Sequence, residues 1–508
     1  MNSRTFGLLM VIVIYLIAMV VIGVVYSKKN KDVSDFYLGG RKLGPIVTAM
    51  SAEASDMSSW LLMGLPGVAY LSGCADAGWT AIGLAIGTYL NWLLVAKRLR
   101  RYTVKANNSI TLPDFFSNRY RDKSHALLAI SAILIVVFFV PYTASGFAAC
   151  GKLFSTLFDI PYLPAMIVSA IIIVAYTATG GYLAASTTDL IQSIVMSVAL
   201  VIVVVFGIHV SGGLDVVMEN AKSLDGFLTL FETHNTVDGS SSPYSALTIV
   251  STLAWGLGYF GMPHILLRFM GVEDENKLKL SRRIASVWVV ISMAIAIFIG
   301  IVGYSMSKAG AIDVLEGSSQ SETLIIKVAI LLSEHGIAAI IMAGLILAGI
   351  LACTMSTSDS QLLAASSSVS QNIICDCLGI KLSGKASMRV ARLTVVLISI
   401  IGVIIAWNPN NSVFNIVSFA WAGFGASFGP VMLFSLFWKR SNRNGALAGM
   451  IVGGVMVFVW KYLIAPMGGI WAIYELLPAF ILSSITIVIV SLLTAPPSKE
   501  IVEEFENV

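Results

Sequence analysis

The feature that most constrains this chain is a row of apolar stretches, each close to 20 residues or longer, spaced by short polar loops. A bilayer core about 30 Å thick takes about 20 apolar residues to cross as a helix. Inside that core every backbone N–H and C=O must find a partner within the protein, which leaves helices as the natural spanning element here. The stretches predict thirteen spans, with cores near 7–26, 45–73, 76–96, 125–151, 162–183, 190–211, 246–271, 284–306, 337–372, 388–407, 412–438, 445–465 and 472–494. Several exceed the required length, so tilt, breaks or protruding ends are expected. With 12% charged residues, against about 25% in ordinary soluble domains, the composition excludes a disordered protein and a typical cytosolic enzyme. Gly7 to Tyr26 is too long for the apolar part of a signal peptide. No small-residue cleavage site follows it, and Lys28, Lys29 and Lys31 come next. It reads as a retained span.

Basic residues set the orientation. With the N-terminus outside, the loops at 27–44, 97–124, 264–283, 372–392 and 439–444 and the C-terminal tail are cytoplasmic. They hold 26 of the 32 Lys and Arg residues, a strong positive-inside bias. The segment at 212–245 is acidic and falls outside. The reading is a multi-pass protein of the cell (plasma) membrane with a cytoplasmic C-terminus. Loops this short leave no room for a soluble output domain, and no phosphate-binding G-x-x-x-x-G-K-[ST] motif is present.

Spans two to six and seven to eleven are two sets of five. Five is odd, so the second set starts from the opposite side, which gives inverted topology, a recurring transporter plan. The domains follow. Residues 1–44 hold an extra span and its loop, 45–211 the first repeat, and 212–245 an extracellular loop. Residues 246–438 hold the second repeat, and 439–508 two further spans and a tail. The first helix of each half looks interrupted. Span two carries polar residues at mid-membrane and then Gly64-Leu65-Pro66-Gly67. Span seven carries Gly256, Gly258, Gly261 and Pro263. Gly weakens a helix and Pro removes a donor, so carbonyls are freed there. Such backbone is tolerated at membrane depth only where protein or a watery cavity satisfies it.

Asp56 lies near the middle of span two, and Glu53 stands three residues earlier, on the same face of an intact helix. An ionised acid there costs about 2.5–3.5 kcal/mol. A carboxylate, the hydroxyls of Ser58 and Ser59 and freed carbonyls are hard oxygen ligands suited to a small cation; proton carriage and a structural polar network are the competing readings. In span nine, Ser356 and Ser360 share a face beside Thr357 and Asp359, where hydroxyls either complete a cation site or line a helix seam. Tyr142, Trp255 and Tyr259 offer aromatic walls with polar tips. His264 and Arg268 read as interfacial anchors, and Asp189 as a helix cap or part of an ion exit path. Five scattered cysteines, Cys74, Cys150, Cys353, Cys375 and Cys377, form no disulfide framework. The Cys375–Cys377 pair lacks the further ligands a structural zinc site needs. No nucleophile–base pair stands out, so the chain is read as no enzyme and without a cofactor.

Several stretches carry a resemblance: LGGRKLGPIVTAMSAEASDMSSWLLMGLPG, TGGYLAASTTD, WGLGYFGMPHILLRFM, MSTSDSQLL and FAWAGFGASFGPVMLFSLFWKRSNRNGALAGM. Together, over about residues 35 to 465, they resemble the sodium:solute symporter family, in its bacterial proline-carrying branch. The resemblance implies an all-α membrane protein with a LeuT-type fold and the five-plus-five inverted repeat. It implies sodium-coupled uptake of L-proline by alternating access, with Na+ as the coupling ion. It implies a sodium site formed by the backbones of Ala54, Met57 and Cys353 and the side chains of Ser356 and Thr357, with Asp56 needed for sodium-dependent coupling. Ser58, Tyr142, Trp255, Tyr259 and Pro263 match positions that bind or shape the proline pocket. Arg41 matches a residue of coupling and Asp189 one on the ion exit path. Glu53, where bacterial proline carriers have a small Gly, and Asp359 depart from the pattern; either alters sodium affinity or admits protons or lithium. Partners are then L-proline, Na+ and the lipid bilayer, with no nucleic acid and no obligate protein partner. Alternatives are another solute (a betaine-like osmolyte, a sugar, sialic acid or pantothenate), a membrane solute sensor or a passive channel.

Overall fold

The apolar runs become helices almost throughout. The computed structural model describes residues 3–27, 33–235 and 238–508; Lys28, Lys29 and Lys31, part of the predicted charge bias, lie outside the described residues. The chain opens with α1 (Ser3–Ser27), α2 (Val33–Leu38), α3 (Pro45–Ser59), α4 (Leu65–Ser72), α5 (Cys74–Leu90), α6 (Ala96–Lys105), α7 (Leu112–Arg119), α8 (Ala126–Phe158) and α9 (Tyr162–Val210). A connecting segment holds α10 (Leu214–Lys222) and an antiparallel hairpin, β1 (Glu232–His234) on β2 (Ser241–Pro243), in the register Thr233↔Ser242. Then come α11 (Ala246–Leu253), a tight 3-10 stretch (Ala254–Gly261), α12 (Pro263–Gly271), α13 (Leu278–Lys308), α14 (Gly317–Ser321), α15 (Leu324–Leu332) and α16 (Ile337–Ser367). The chain closes with α17 (Gly384–Ile405), α18 (Val413–Phe437), α19 (Arg443–Val459), α20 (Leu476–Leu493) and α21 (Lys499–Glu506).

Local chemistry starts these helices where expected. Ser245, Ser412 and Asn442 cap α11, α18 and α19 with their side-chain oxygens. Thr111 and Asp114 form a reciprocal capping box on α7. Among the described residues, ten helices are long and apolar enough to cross a membrane. The three expected spans outside that set are the two interrupted segments, 45–73 and 246–271, and the 17-residue run Tyr162–Ala178.

The long helix α16 lies at the centre and packs against α9, α8, α3 and α1. Small residues let the backbones approach: a Cβ on Gly349 would lie 2.7 Å from Ala199 Cβ, and one on Gly146 would lie 2.7 Å from Ser358 Oγ. The flanks carry exposed apolar side chains, among them Ile14, Ile17, Ile171, Val205 and Ile404, as a lipid-facing surface requires.

Two expectations are corrected. The interruption of span two lies at Ser58, whose φ of 47° and ψ of −170° leave the helix. Gly64-Leu65-Pro66-Gly67 instead continue it, through a widened turn at Trp60–Gly64 and into α4, where Pro66 sits in the first turn and needs no N–H partner. The predicted spans 162–183 and 190–211 lie on two helical segments that meet at a kink at Gly181 (φ 75°, ψ −178°), and Asp189 falls well past that kink. Asp189 therefore sits inside a helix and is no cap.

Candidate functional site

The two interruptions meet. Ser58 occupies a backbone region almost reserved for Gly, at a cost of order 1–3 kcal/mol. Its Oγ accepts from the Trp60 N–H at 3.1 Å, and the same N–H reaches the carbonyls of Met57 and Ser58. In the second interruption, the 3-10 stretch turns more tightly than an α-helix. Trp255 and Tyr259, four apart, therefore do not share a face as an α-helix would have it. Tyr259 points to Asp56, its hydroxyl donating to Oδ2 at 2.5 Å. Trp255 packs in the aromatic layer formed with Trp60, Phe414 and Tyr474, at ring separations of 5.9, 5.4 and 5.2 Å.

Two carbonyls of this stretch are taken by side chains. Trp421 Nε1 donates to Trp255 O at 2.7 Å and Asn91 Nδ2 to Tyr259 O at 3.0 Å. Side chains from α18 and from the turn after α5 thus satisfy the backbone that a 3-10 helix leaves open. Gly258 permits it, since a Cβ there would lie 1.9 Å from Trp421 Nε1. Asn91, Trp92, Trp421 and Phe414 were not singled out from the sequence. A lone Asn in an apolar span was the one available signal.

Asp56 is buried. The Tyr142 hydroxyl, just past Pro141 in an unbroken α8, donates to the Asp56 carbonyl at 3.2 Å. A cavity lined by Asp56, Met57, Trp60, Tyr142, Trp255 and Trp421 has a volume of about 10 Å³, room for one water at most. Pro263 heads α12 and does not line it. Glu53 shares the intact helix with Asp56 but turns elsewhere: Trp92 Nε1 donates to its Oε1 at 2.9 Å, while Oε2 is buried with no partner.

One turn below, α3 meets α16. Ser356 Oγ donates to Ala54 O at 2.8 Å and lies 3.1 Å from Cys353 O, which also accepts from Thr357 Oγ1 at 3.1 Å. Two carbonyls and two hydroxyls are thus held together in a buried seam, a hard-oxygen set of the kind that holds hard cations. Met57, also buried, lies on the same helix just before the interruption at Ser58.

A third cluster joins four elements. Asp189 Oδ2 accepts from Ser51 Oγ at 2.6 Å and from Arg268 Nη2 at 3.1 Å. Arg268 also reaches Ser360 Oγ at 2.6 Å and Ser51 Oγ at 2.9 Å, and lies over the Tyr182 ring. Asp359 lies beside Ser360, with Oδ1 3.3 Å from its hydroxyl and Oδ2 unpartnered. Arg268 and His264 are fully buried, which corrects their reading as interfacial anchors. A guanidinium at this depth survives because a carboxylate and hydroxyls surround it.

Arg41 ties the ends of the interrupted helices together. It donates to Met270 O at 2.6 Å, Ser109 O at 2.8 Å and Asn108 Oδ1 at 3.2 Å. Burial pushes its guanidinium down to about 10, still charged at neutral pH. Beside it Leu43 and Val272 form a backbone bridge. Asp56 itself, next to the aromatic layer, is 5% exposed. The five cysteines are free, and no group of three or more His, Cys, Asp or Glu able to hold a metal occurs among the described residues.

The sequence model of the sodium:solute symporter family matches residues 36–453. The chain is 42% identical to a sodium/proline symporter of Haemophilus influenzae, over 97% of its own length and 96% of that protein's. It is 41% identical to a high-affinity proline transporter of Bacillus subtilis, over 96% and 98%. Among solved structures it matches a Na+-coupled sialic acid symporter in a substrate-bound, outward-open state, with a TM-score of 0.78 at 20% identity over 98% of this chain and 99% of that one. It also matches MhsT in complex with L-phenylalanine, with a TM-score of 0.54 at 14% identity over 89% and 98%. Likeness at this distance shows the fold, that of LeuT-type sodium-coupled symporters.

Proposed function

The chain belongs to the sodium:solute symporter family, and we propose that it carries L-proline into the cell together with sodium by alternating access. One observation carries the reading. Two interrupted helices meet at a buried acid under an aromatic layer, in a chain 42% identical to a sodium/proline symporter over 97% of its length.

In this reading sodium binds between α3 and α16, at the carbonyls of Ala54, Met57 and Cys353 and the hydroxyls of Ser356 and Thr357. Asp56 links ion binding to the solute pocket, because its carboxylate holds Tyr259 while its own carbonyl holds Tyr142. Ser58, Tyr142, Trp255 and Tyr259 contact proline, and Pro263 sets where α12 begins. A cavity of about 10 Å³ admits no proline, so Trp60, Trp255 and Phe414 move apart on the entry side. On the other side the Arg41 contacts and the Asp189–Arg268 pair open for release, and sodium leaves past Asp189. Glu53 and Asp359 tune the choice of ion.

The same reading has thirteen spans and an inverted repeat of 45–211 and 246–438. Residues 1–44 and 439–508 supply the extra spans, and 212–245 form the extracellular loop. The N-terminus is outside, the C-terminus in the cytoplasm, and the bilayer is the plasma membrane. Each sodium entering gains about 2.3 kcal/mol per 100 mV, which supports roughly fifty-fold accumulation before its chemical gradient is added.

The test is labelled proline uptake into proteoliposomes of the pure protein, with an inward sodium gradient or with choline in its place. Accumulation with sodium alone is expected. Equal uptake in both removes sodium coupling, and no uptake by folded protein removes proline.

A further inference from the structure

We propose that the lipid-facing groove between α9 and α13 is a binding site for one anionic glycerophospholipid. The groove has a volume of about 530 Å³, within the range of pockets that hold discrete ligands. Val201, Val287 and Ile291, each more than half exposed, form its outer flank. In a spanning chain such a flank faces acyl chains.

The interior asks for an apolar occupant. Its polar atoms are already used: Ser197 Oγ donates to Ser193 O at 2.7 Å and accepts from Trp288 Nε1 at 2.9 Å, and Ser292 Oγ donates to Val289 O. Both hydroxyls thus donate their protons to backbone carbonyls, and the rest of the interior is lined mainly by apolar side chains. Length sets the kind of chain. From Arg283 to Ile295 the groove follows α13 for about 18 Å at 1.5 Å per residue. One leaflet contributes about half of the 30 Å hydrocarbon core.

The rim asks for a negative charge. Arg283, where the apolar part of α13 begins, is exposed, and among the described residues no carboxylate lies within ion-pair distance of it. Of the neighbouring acids, Glu273 pairs with Lys277 and Glu275 with Arg101, while Asp274 accepts from the Asn276 N–H. Arg282 lies over the Tyr89 ring and Lys279 stands one turn away. A basic cluster at a membrane interface draws anionic headgroups. The occupant would also touch the transport core, because Met50 lines the groove and precedes Ser51, the hydroxyl shared by Arg268 and Asp189. The proposal does not rest on which solute is carried.

The test is native mass spectrometry of the full chain after exchange into micelles holding equal phosphatidylglycerol and phosphatidylcholine. Phosphatidylglycerol is expected to be retained in preference. Arg283→Gln should lower that retention about five-fold, the equivalent of the roughly 1 kcal/mol one basic side chain contributes at an anionic surface. Val287→Trp, an exposed change that fills the groove, should remove the bound lipid without altering thermal stability. Equal retention of the two lipids by the unmodified protein, or equal phosphatidylglycerol on the unmodified protein and both variants, overturns the site.

Discussion

The Tyr259 hydroxyl donates to Asp56 Oδ2 at 2.5 Å, across 203 residues of sequence, so the two interrupted helices are joined at an acid that lines the central cavity. Neither interruption alone makes a site. Hydrogen bonds to charged groups are worth about 1.5–3 kcal/mol. Tyr259→Phe, which keeps the ring and loses the donor, should lower uptake efficiency by about ten- to a hundred-fold with the protein folded. Initial uptake rates against solute and sodium concentration, beside a thermal melt, check it.

Ser58 stores strain where the helix breaks. Ser58→Gly should leave the melting temperature unchanged or raise it, since Gly adopts this conformation freely. It should still reduce uptake, because the hydroxyl that holds the Trp60 N–H is gone. Ser58→Val should lower the melting temperature. Paired melts and uptake assays separate the two effects.

The Arg268–Asp189 pair is fully buried. Removing one partner strands a charge, at a cost of about 3–5 kcal/mol. Arg268→Leu should therefore lower thermal stability sharply, and the double change Arg268→Leu with Asp189→Leu should recover most of it. A double-mutant cycle of melting temperatures in detergent is the measurement.

Thr357 Oγ1 and Ser356 Oγ both reach the Cys353 carbonyl. Thr357→Ala should raise the sodium concentration for half-maximal uptake by about three- to ten-fold, on the scale of one hydrogen-bonding group. It should change the maximal rate less. Sodium titration at saturating proline reads this directly.

Asp114, in the loop between spans, is pushed up to about 6 by burial and by the neighbouring Asp376 charge. Its value in the unfolded chain is near 3.9, so the folded protein binds more protons between these values. The stabilisation is then fully present below about pH 4 and is lost as pH rises through 6. Asp114→Asn gives up one of the two bonds the carboxylate accepts, from the Thr111 N–H and Asn372 Nδ2, but in melting temperature it should fare better against the unmodified protein at pH 7.5 than at pH 4.5. Melts across that range test the sign.

Much of this was legible from residues in order. Hydropathy gives the spanning runs because a bilayer leaves the backbone no other partner. Gly256, Gly258, Gly261 and Pro263 mark the second interruption because they weaken a helix locally. Asp56 stands out because an acid at that depth is costly. The first interruption was misread, since Gly64 and Pro66 are natural breakers while Ser58 is not. Only surrounding contacts hold a serine in that conformation.

The sequence by itself determined the class of protein, the apolar runs that become helices and the chemistry of the acids and hydroxyls, because these follow from solvent transfer and local backbone preference. The tertiary structure alone decided which of those groups meet. Asp56 with Tyr259, Ala54 with Ser356 and Asp189 with Arg268 are each set by helix packing across 79 to 302 residues. Asn91 and Trp421 have their roles only because a 3-10 turn from elsewhere in the chain frees carbonyls beside them. Pairing at such distances is a property of the packed bundle, where a buried polar group must find its partner across helices.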